Sequence, residues 1–288
     1  MAQFGFNGAT TGDGTDVETD IRAAAQAGYQ FVELRDTKIA RYLSSGGNLT
    51  SLRALMAQAG IAALSVNALE DSTLRERAAF EEVIGRCRTL CEWAQALDCP
   101  YVVAVPSFLR TAPDAGRSPG ARREVGLSEI EVRRRSAAAL RAMIAVAEEF
   151  GVQLGFEFLG FPSCSVSTLR AARGIVDDVA DSRAGLVIDA FHFYVGGSRP
   201  EDLDGLDPSR VFIVHLDDAP AGEPSTLTDA QRLLPGEGVI PLRALIDRLQ
   251  AAGYGGAYSL ELFRPEYWTW DPVVLARRGL EGMRRVVA

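Results

Sequence analysis

The chain is short of several residues on which common chemistries depend. Of its 30 basic residues only Lys38 is a lysine, so Schiff-base catalysis has a single candidate, and that one lies in a poorly patterned stretch. There are two histidines, His192 and His215, and four cysteines. Cys87, Cys91, Cys99 and Cys164 lack the paired spacing of a metal knuckle. The first three fall in or beside an apolar helical pattern, which marks them as small, buried, reduced thiols. Apolar runs are of strand length, far below the roughly 20 residues that cross a bilayer. The opening Met1-Ala2-Gln3-Phe4-Gly5-Phe6-Asn7 has no basic segment followed by a long apolar core, so no signal peptide is expected and the expected location is cytoplasmic. Positive charge is also in deficit. The 38 acidic residues exceed the 30 basic ones and give a formal charge of -8, which removes the broad attraction to phosphate backbones that nonspecific nucleic-acid binding needs. Neither a nucleic acid nor a membrane is an expected partner.

What is present is an ordinary globular composition, 47% hydrophobic and 24% charged over 288 residues, enough for a substantial core. Nearly continuous apolar runs recur at residues 4–8, 31–34, 62–66, 101–105, 152–158, 184–188, 211–216 and 257–263, as expected of strands covered on both faces. Between them Ala, Leu, Arg and Glu recur with a helical period, notably over residues 76–96, 128–150, 168–179, 242–251 and 272–286, while the sixth crossover is poorly defined. Gly28, Gly60, Gly151 and Gly253 stand before the second, third, fifth and eighth runs, where a left-handed residue ends a helix and turns the chain. Pro241 is placed to open the seventh helix. Eight βα units without a long linker predict an α/β fold, a single (β/α)8 TIM barrel spanning residues 1–288 as one domain. The competing doubly wound sheet calls for a glycine-rich phosphate turn, and Gly5, Gly8, Gly12 and Gly14 do not have its spacing. A long irregular stretch at residues 106–126 follows the fourth strand and so belongs over the active-site face, either as a substrate lid or as an exposed insertion.

The strongest chemical pattern is distributed over the later strands. Glu157, Asp189, His215 and Glu261 each stand near the C-terminal end of a separate apolar run, the fifth to the eighth, and in a barrel these four ends converge on one side of the mouth. A carboxylate in an apolar strand is costly unless paired, protonated or coordinated, so three of them with one imidazole favour a shared positive partner. One divalent ion supplies that charge. The donor set suits a hard or borderline ion, Mn2+ first, with Mg2+, Zn2+ and Co2+ also accommodated. The plainer alternative pairs these acids with nearby arginines. His192, three residues after Asp189, is placed for substrate contact or for support of the metal. Asp217 and Asp218 are placed to orient His215 or touch substrate, and Glu33, Arg35 and Asn67 are pocket candidates from earlier strands. Phe161, Tyr194 and Trp268 are ring candidates for the apolar faces of a sugar.

The segments Gly155-Phe156-Glu157-Phe158-Leu159-Gly160, Val187-Ile188-Asp189-Ala190-Phe191-His192, Val214-His215-Leu216-Asp217-Asp218, Leu234-Pro235-Gly236-Glu237-Gly238 and Ser259-Leu260-Glu261-Leu262-Phe263, the last followed by Glu266-Tyr267-Trp268, also carry a resemblance. Over essentially its whole length the chain resembles the xylose-isomerase-like barrel superfamily, especially its bacterial sugar phosphate isomerase/epimerase branch. Relatives of that branch include inosose dehydratases and isomerases, ketose 3-epimerases and endonuclease IV. The resemblance implies a metal held by Glu157, Asp189, His215 and Glu261, with His192 near the substrate. It also implies that Glu157 and Glu261 exchange a substrate proton. Endonuclease IV uses three metals and many more histidines than the two here, so cleavage of abasic DNA is not expected. The ketose 3-epimerases place an arginine a few residues after the histidine matching His215, whereas here none follows until Arg232; Arg264, just past Glu261, is the candidate for a substrate carboxylate or phosphate.

The expected activity is therefore that of a metal-dependent isomerase or epimerase of a small sugar or keto-polyol. Glu157 and Glu261 serve as base and acid, and the ion stabilises the enediolate between the two proton transfers. The same groups serve an inosose-type dehydratase equally well. A third reading is a non-catalytic sugar-binding or assembly protein. The expected partner is a small sugar or cyclic keto-polyol, and self-association into a homo-oligomer is left open.

Overall fold

A computed structural model describes residues 2–109 and 127–288. Eight parallel strands close on themselves in sequence order, β1 (Gln3–Asn7), β2 (Phe31–Arg35), β3 (Ala62–Leu69), β4 (Tyr101–Ala104), β5 (Gln153–Glu157), β6 (Ala184–Asp189), β7 (Val211–Leu216) and β8 (Ala257–Leu260), with β8 pairing back onto β1. The helices are α1 (Val17–Ala27), α2 (Asp36–Ser44), α3 (Leu49–Ala59), α4 (Arg77–Ala96), α5 (Glu129–Glu149), α6 (Leu169–Val179), α7 (Ala190–Val195), α8 (Leu242–Ala251) and α9 (Pro272–Val287). The closed barrel read from the eight apolar runs is the observed fold.

Local chemistry explains the element boundaries. Asp16, Asn48, Ser128 and Thr168 each accept a hydrogen bond from a backbone amide of the first turn they precede, which satisfies donors that have no partner within the helix. Gly28 ends α1 at φ +97°, a conformation an L side chain rarely adopts. Pro241 stands immediately before α8 and not in its first turn. The sixth crossover, ill defined in the sequence, consists of the six-residue α7 and two short 3-10 turns, Pro200–Leu203 and Pro208–Arg210, too short to leave a helical period. Most of the expected loop at residues 106–126 lies outside the described residues. Of its first part, Ser107 is buried and Phe108 bridges to Cys164.

Two apolar clusters hold the barrel. The larger lies between strands and helices; the smaller, built on Leu64, Val103, Val187, Phe212, Ile213 and Ala257, fills the inside of the lower barrel. Phe212 stacks on Tyr101 with ring centroids 4.8 Å apart, closing that end. Because side chains alternate along a strand, Val187 and Ile213 inside the barrel carry Asp189 and His215 inside one layer higher. Asp189 and His215 are paired directly in the β6–β7 register. The apolar plug below and the chemical groups above are thus two floors of one interior.

Candidate metal centre

Glu157 and Asp189 are the last residues of β5 and β6, His215 is the penultimate residue of β7, and Glu261 is the first residue beyond β8. One ligand atom from each lies within 4.8 Å of those of the other three, and all four residues are buried. The imidazole is central. Its Nδ1 stands 3.1 Å from Glu157 Oε1, 3.3 Å from Glu261 Oε2 and 3.7 Å from Asp189 Oδ2. Its Nε2 faces the carboxylate of Glu33 at 3.1 and 3.3 Å, and Glu33 is itself held by the Ser65 hydroxyl, which donates to Oε2 at 2.6 Å. A carboxylate only accepts, so Nε2 carries a proton and Nδ1 is aimed at the three acids, the arrangement by which an outer carboxylate orients a metal-binding histidine.

The charge balance tests whether these residues fit an ion. Glu33, Glu157, Asp189, Asp217 and Glu261 are all at most 3% exposed, and among the described residues one buried guanidinium, Arg232, joins them. Its Nη1 donates to Asp189 Oδ2 at 2.5 Å, to Asp217, and at 3.4 Å to Glu261 Oε2, while Nη2 lies 2.9 Å from Asp229. The rings of Phe191 and Phe263 stand 4.9 and 5.1 Å from its central carbon. An arginine therefore does reach two of the three acids of the cluster, as the plainer alternative required. It is one cation among five buried acids, and Glu157, Glu261 and Asp189 still converge on His215 Nδ1 with Glu33 on Nε2, a crowding of carboxyl groups that suits a further cation. Burial opposes a charge on His215, yet Glu261, Glu33 and Glu157 raise its affinity for a proton well above the ordinary value, and the same negative surroundings suit a metal ion.

The two glutamates are not equivalent. Burial pushes the Glu157 carboxyl up to about 7, with His215 opposing and Glu261 reinforcing the shift. Burial acts on Glu261 in the same direction, but His215 and Arg232 outweigh it and bring that carboxyl down to about 2. Asp189 is held below the ordinary carboxylate range because Arg232 and His192 outweigh its burial; Asp217 is driven well above it by burial and the charge of Asp189.

Above the cluster lies a cavity of about 560 Å3, including its open mouth, and Glu157 and Glu261 are the two of the four that line it. Asn67, His192, Phe161, Arg35 and Phe263 line it as well. Asn67 Oδ1 accepts from Arg35 Nη1 at 2.8 Å, which turns its amide nitrogen away from the arginine, and that buried nitrogen has no protein partner. His192 Nε2 lies 3.1 Å from Arg232 Nη2; since a guanidinium only donates, the imidazole proton sits on Nδ1, likewise buried without a partner. Other expected contacts are placed elsewhere. Asp217 lies beneath, bonded to Arg232, and does not line the cavity. Asp218 accepts from the backbone amides of Ala219, Gly236, Gly238 and Ile240 at 2.8 to 3.1 Å, so it shapes a loop and does not orient His215. Arg264 is drawn to Glu266 at 2.7 Å and lies over Tyr267, and Trp268 packs against Gly12 with 42% of its surface exposed; neither lines the cavity, because each has a nearer partner on its own loop or at the end of the turn after β1. Tyr194 lines a separate hollow with Phe193 and Pro241. Sequence reasoning missed the ion pairing of Arg232 and the hydrogen bond that Asn7 Nδ2 donates to Glu261 Oε1 at 2.8 Å. Arg232 lies in an irregular loop with no period to mark it; for Asn7, its place at the end of the first apolar run was the available signal.

Comparison with known proteins agrees with this geometry. Residues 21–286 match the family described as xylose isomerase-like TIM barrel. The inosose isomerase of Halalkalibacterium halodurans is 35% identical over 264 residues, covering 91% of this chain and 88% of that protein. That of Bacillus subtilis is 33% identical over 264 residues, covering 91% and 90%. A crystal structure of the IOLI protein with a bound zinc atom superposes with a TM-score of 0.91 at 31% identity, covering 99% of this chain and 98% of that one. Matching residues from the first helix to the last, over the same closed barrel, the chain belongs to the xylose isomerase-like TIM barrel family.

Proposed function

We propose that the protein is a metal-dependent isomerase of a keto-polyol of the inosose type, working by proton transfer at the carbon beside a carbonyl. The observation that carries this reading is that, of four residues able to hold one ion, the two glutamates face the cavity while Asp189 and His215 lie behind them. Glu157, Asp189, His215 and Glu261 are the residues that would hold the ion; bound there, it supplies positive charge that polarises a carbonyl and offsets the charge developing as a carbon-bound proton leaves. Glu261, held ionised by its neighbours, takes a proton from one carbon, and Glu157, which keeps a proton near neutrality, returns one to the other carbon. Asn67 Nδ2 and His192 Nδ1 donate to substrate oxygens, since each is a buried donor with no protein acceptor. Phe161 and Phe263 cover apolar faces of the ring and keep water from the reacting carbons.

Three carboxylates and one imidazole support Mn2+ as the working ion, and Zn2+, found in the IOLI structure, is the rival. Incubation of the metal-loaded protein with inosose in deuterated water tests the whole reading. NMR is expected to show deuterium entering carbon-bound positions and an isomeric ketone of unchanged composition, faster with Mn2+ than with Zn2+. Loss of water from the ring would replace isomerisation by dehydration, and binding without exchange would make the protein a sugar-binding barrel. Glu157→Gln and Glu261→Gln are each expected to slow exchange by about 10²-fold or more while the fold persists.

A further inference from the structure

The chain's one lysine is buried, 2% exposed, and is not one of the four clustered residues. All three protons of its ammonium are committed: Lys38 Nζ donates to Gly8 O at 2.8 Å, to Thr11 Oγ1 at 2.8 Å and to Asp20 Oδ2 at 2.7 Å. Asp20 in α1 also accepts from Thr11 Oγ1 at 2.6 Å. These contacts grip a 3-10 turn, Gly8–Thr11, that follows β1 directly. The grip is close enough that a Cβ on Gly8 would lie 2.7 Å from Asp20 Oδ2.

The other side of that turn touches Glu261. Asn7, whose Oδ1 caps the turn by accepting from Ala9 N at 2.9 Å, donates through Nδ2 to Glu261 Oε1 at 2.8 Å. Thr10 Oγ1 donates to Leu260 O and accepts from Leu262 N, both at 3.2 Å, and so spans the two residues that flank Glu261. Glu261 needs such support because it lies beyond the last ladder residue of β8 and its backbone has no strand to fix it. With Oε1 taken by Asn7, Oε2 is the oxygen left toward His215 and Arg232.

We propose that Asn7, Thr10 and Lys38 are positioning residues for Glu261, the lysine locking from beneath a turn that holds the glutamate by its side chain and by the peptides on either side. This rests on the reading of Glu261 as metal ligand and proton-exchanging group. A buried ion pair that does not touch the ligands thereby supports the Asn7 contact that leaves Oε2 of Glu261 toward the ion.

The test uses the full-length protein and three variants: Thr10→Val, which removes both hydrogen bonds at nearly constant volume, Thr10→Ser, which keeps them, and the charge-neutral pair Lys38→Met with Asp20→Asn. Circular dichroism and thermal melting first establish folding, and zinc affinity is then measured by competition with a chromogenic chelator. Thr10→Val and the double variant are expected to bind zinc about 10- to 100-fold more weakly, while Thr10→Ser stays close to wild type. In inosose exchange their kcat should fall by a similar factor with KM within about twofold of wild type, as expected for a misplaced reacting group. A folded Thr10→Val protein with wild-type zinc affinity and kcat would overturn the proposal, and so would an equal loss in Thr10→Ser. Should the double variant fail to fold, the Thr10 pair decides. A wild-type protein that binds zinc but exchanges no inosose protons overturns the functional reading alone, and one that binds no zinc overturns the metal centre and this proposal together.

Discussion

Glu33 uses its charge to aim a neighbour. Its carboxylate fixes His215 Nε2 as the protonated nitrogen and so turns Nδ1 toward Glu157, Asp189 and Glu261. Glu33→Gln keeps an acceptor but loses the charge, and zinc affinity should fall about tenfold in a chelator competition, with the melting profile of the metal-free protein little changed. The reading fails if affinity is unaltered. Asp20 offers a second prediction at this scale. Burial lifts its carboxyl from 3.8 to about 6, with Lys38 opposing the shift only in part. The folded chain therefore keeps a proton that the unfolded chain has released, and the stability this contributes is complete below pH 3.8 and lost as the pH rises through 6. In urea titrations the unfolding free energy of wild type, relative to that of Lys38→Met with Asp20→Asn, should decline across that window and level off toward neutrality. A difference that stays flat throughout would show that Asp20 is not perturbed.

Among the elements, strands were easier to read than what joins them. The eight apolar runs were legible because a strand buried on both faces has no polar alternation to hide it, and a metal-capable residue near the end of such a run stands out for the same reason. Glu157, Asp189, His215 and Glu261 were found in this way. The three early helices α1, α2 and α3, of 9 to 11 residues each, were not singled out, although α6 and α8, of 11 and 10 residues, were. Arg232 was legible only as the first arginine after His215. Nothing in its neighbourhood of short 3-10 turns says that the chain folds it back between Phe191 and Phe263. That return depends on Asp218, which gathers four backbone amides and pairs its own backbone with Leu233 at 2.8 and 2.9 Å. Asp218→Ala leaves those amides without their acceptor and is expected to cost about 3 kcal/mol or more of stability, measured by urea unfolding. A cost under about 1 kcal/mol would mean that the loop holds its shape by other contacts.

For the whole molecule, ring closure gives every strand two neighbours and leaves no open sheet edge, and among the described residues no helix is long and apolar enough to cross a membrane. Closure also gathers five acids around Arg232 and His215 in one interior, and a bound divalent ion would relieve the repulsion left among them. Stability should then follow metal concentration: at a free zinc level about 100 times the dissociation constant the folded state gains about 2.7 kcal/mol. Calorimetry is expected to show the melting temperature rising by several degrees with added zinc and falling again with EDTA; a melting temperature indifferent to both would be incompatible with a single ion bound in the barrel mouth. The staves of this barrel and its rim answer to different demands. The ion's ligands belong to rigid staves or stand at their ends, whereas the guanidinium that biases them arrives on a tether hinged at Asp218. A descendant that exchanged only that tether would keep its metal and inherit a different balance of charge around it, which is a short evolutionary step from one proton-transfer reaction to another.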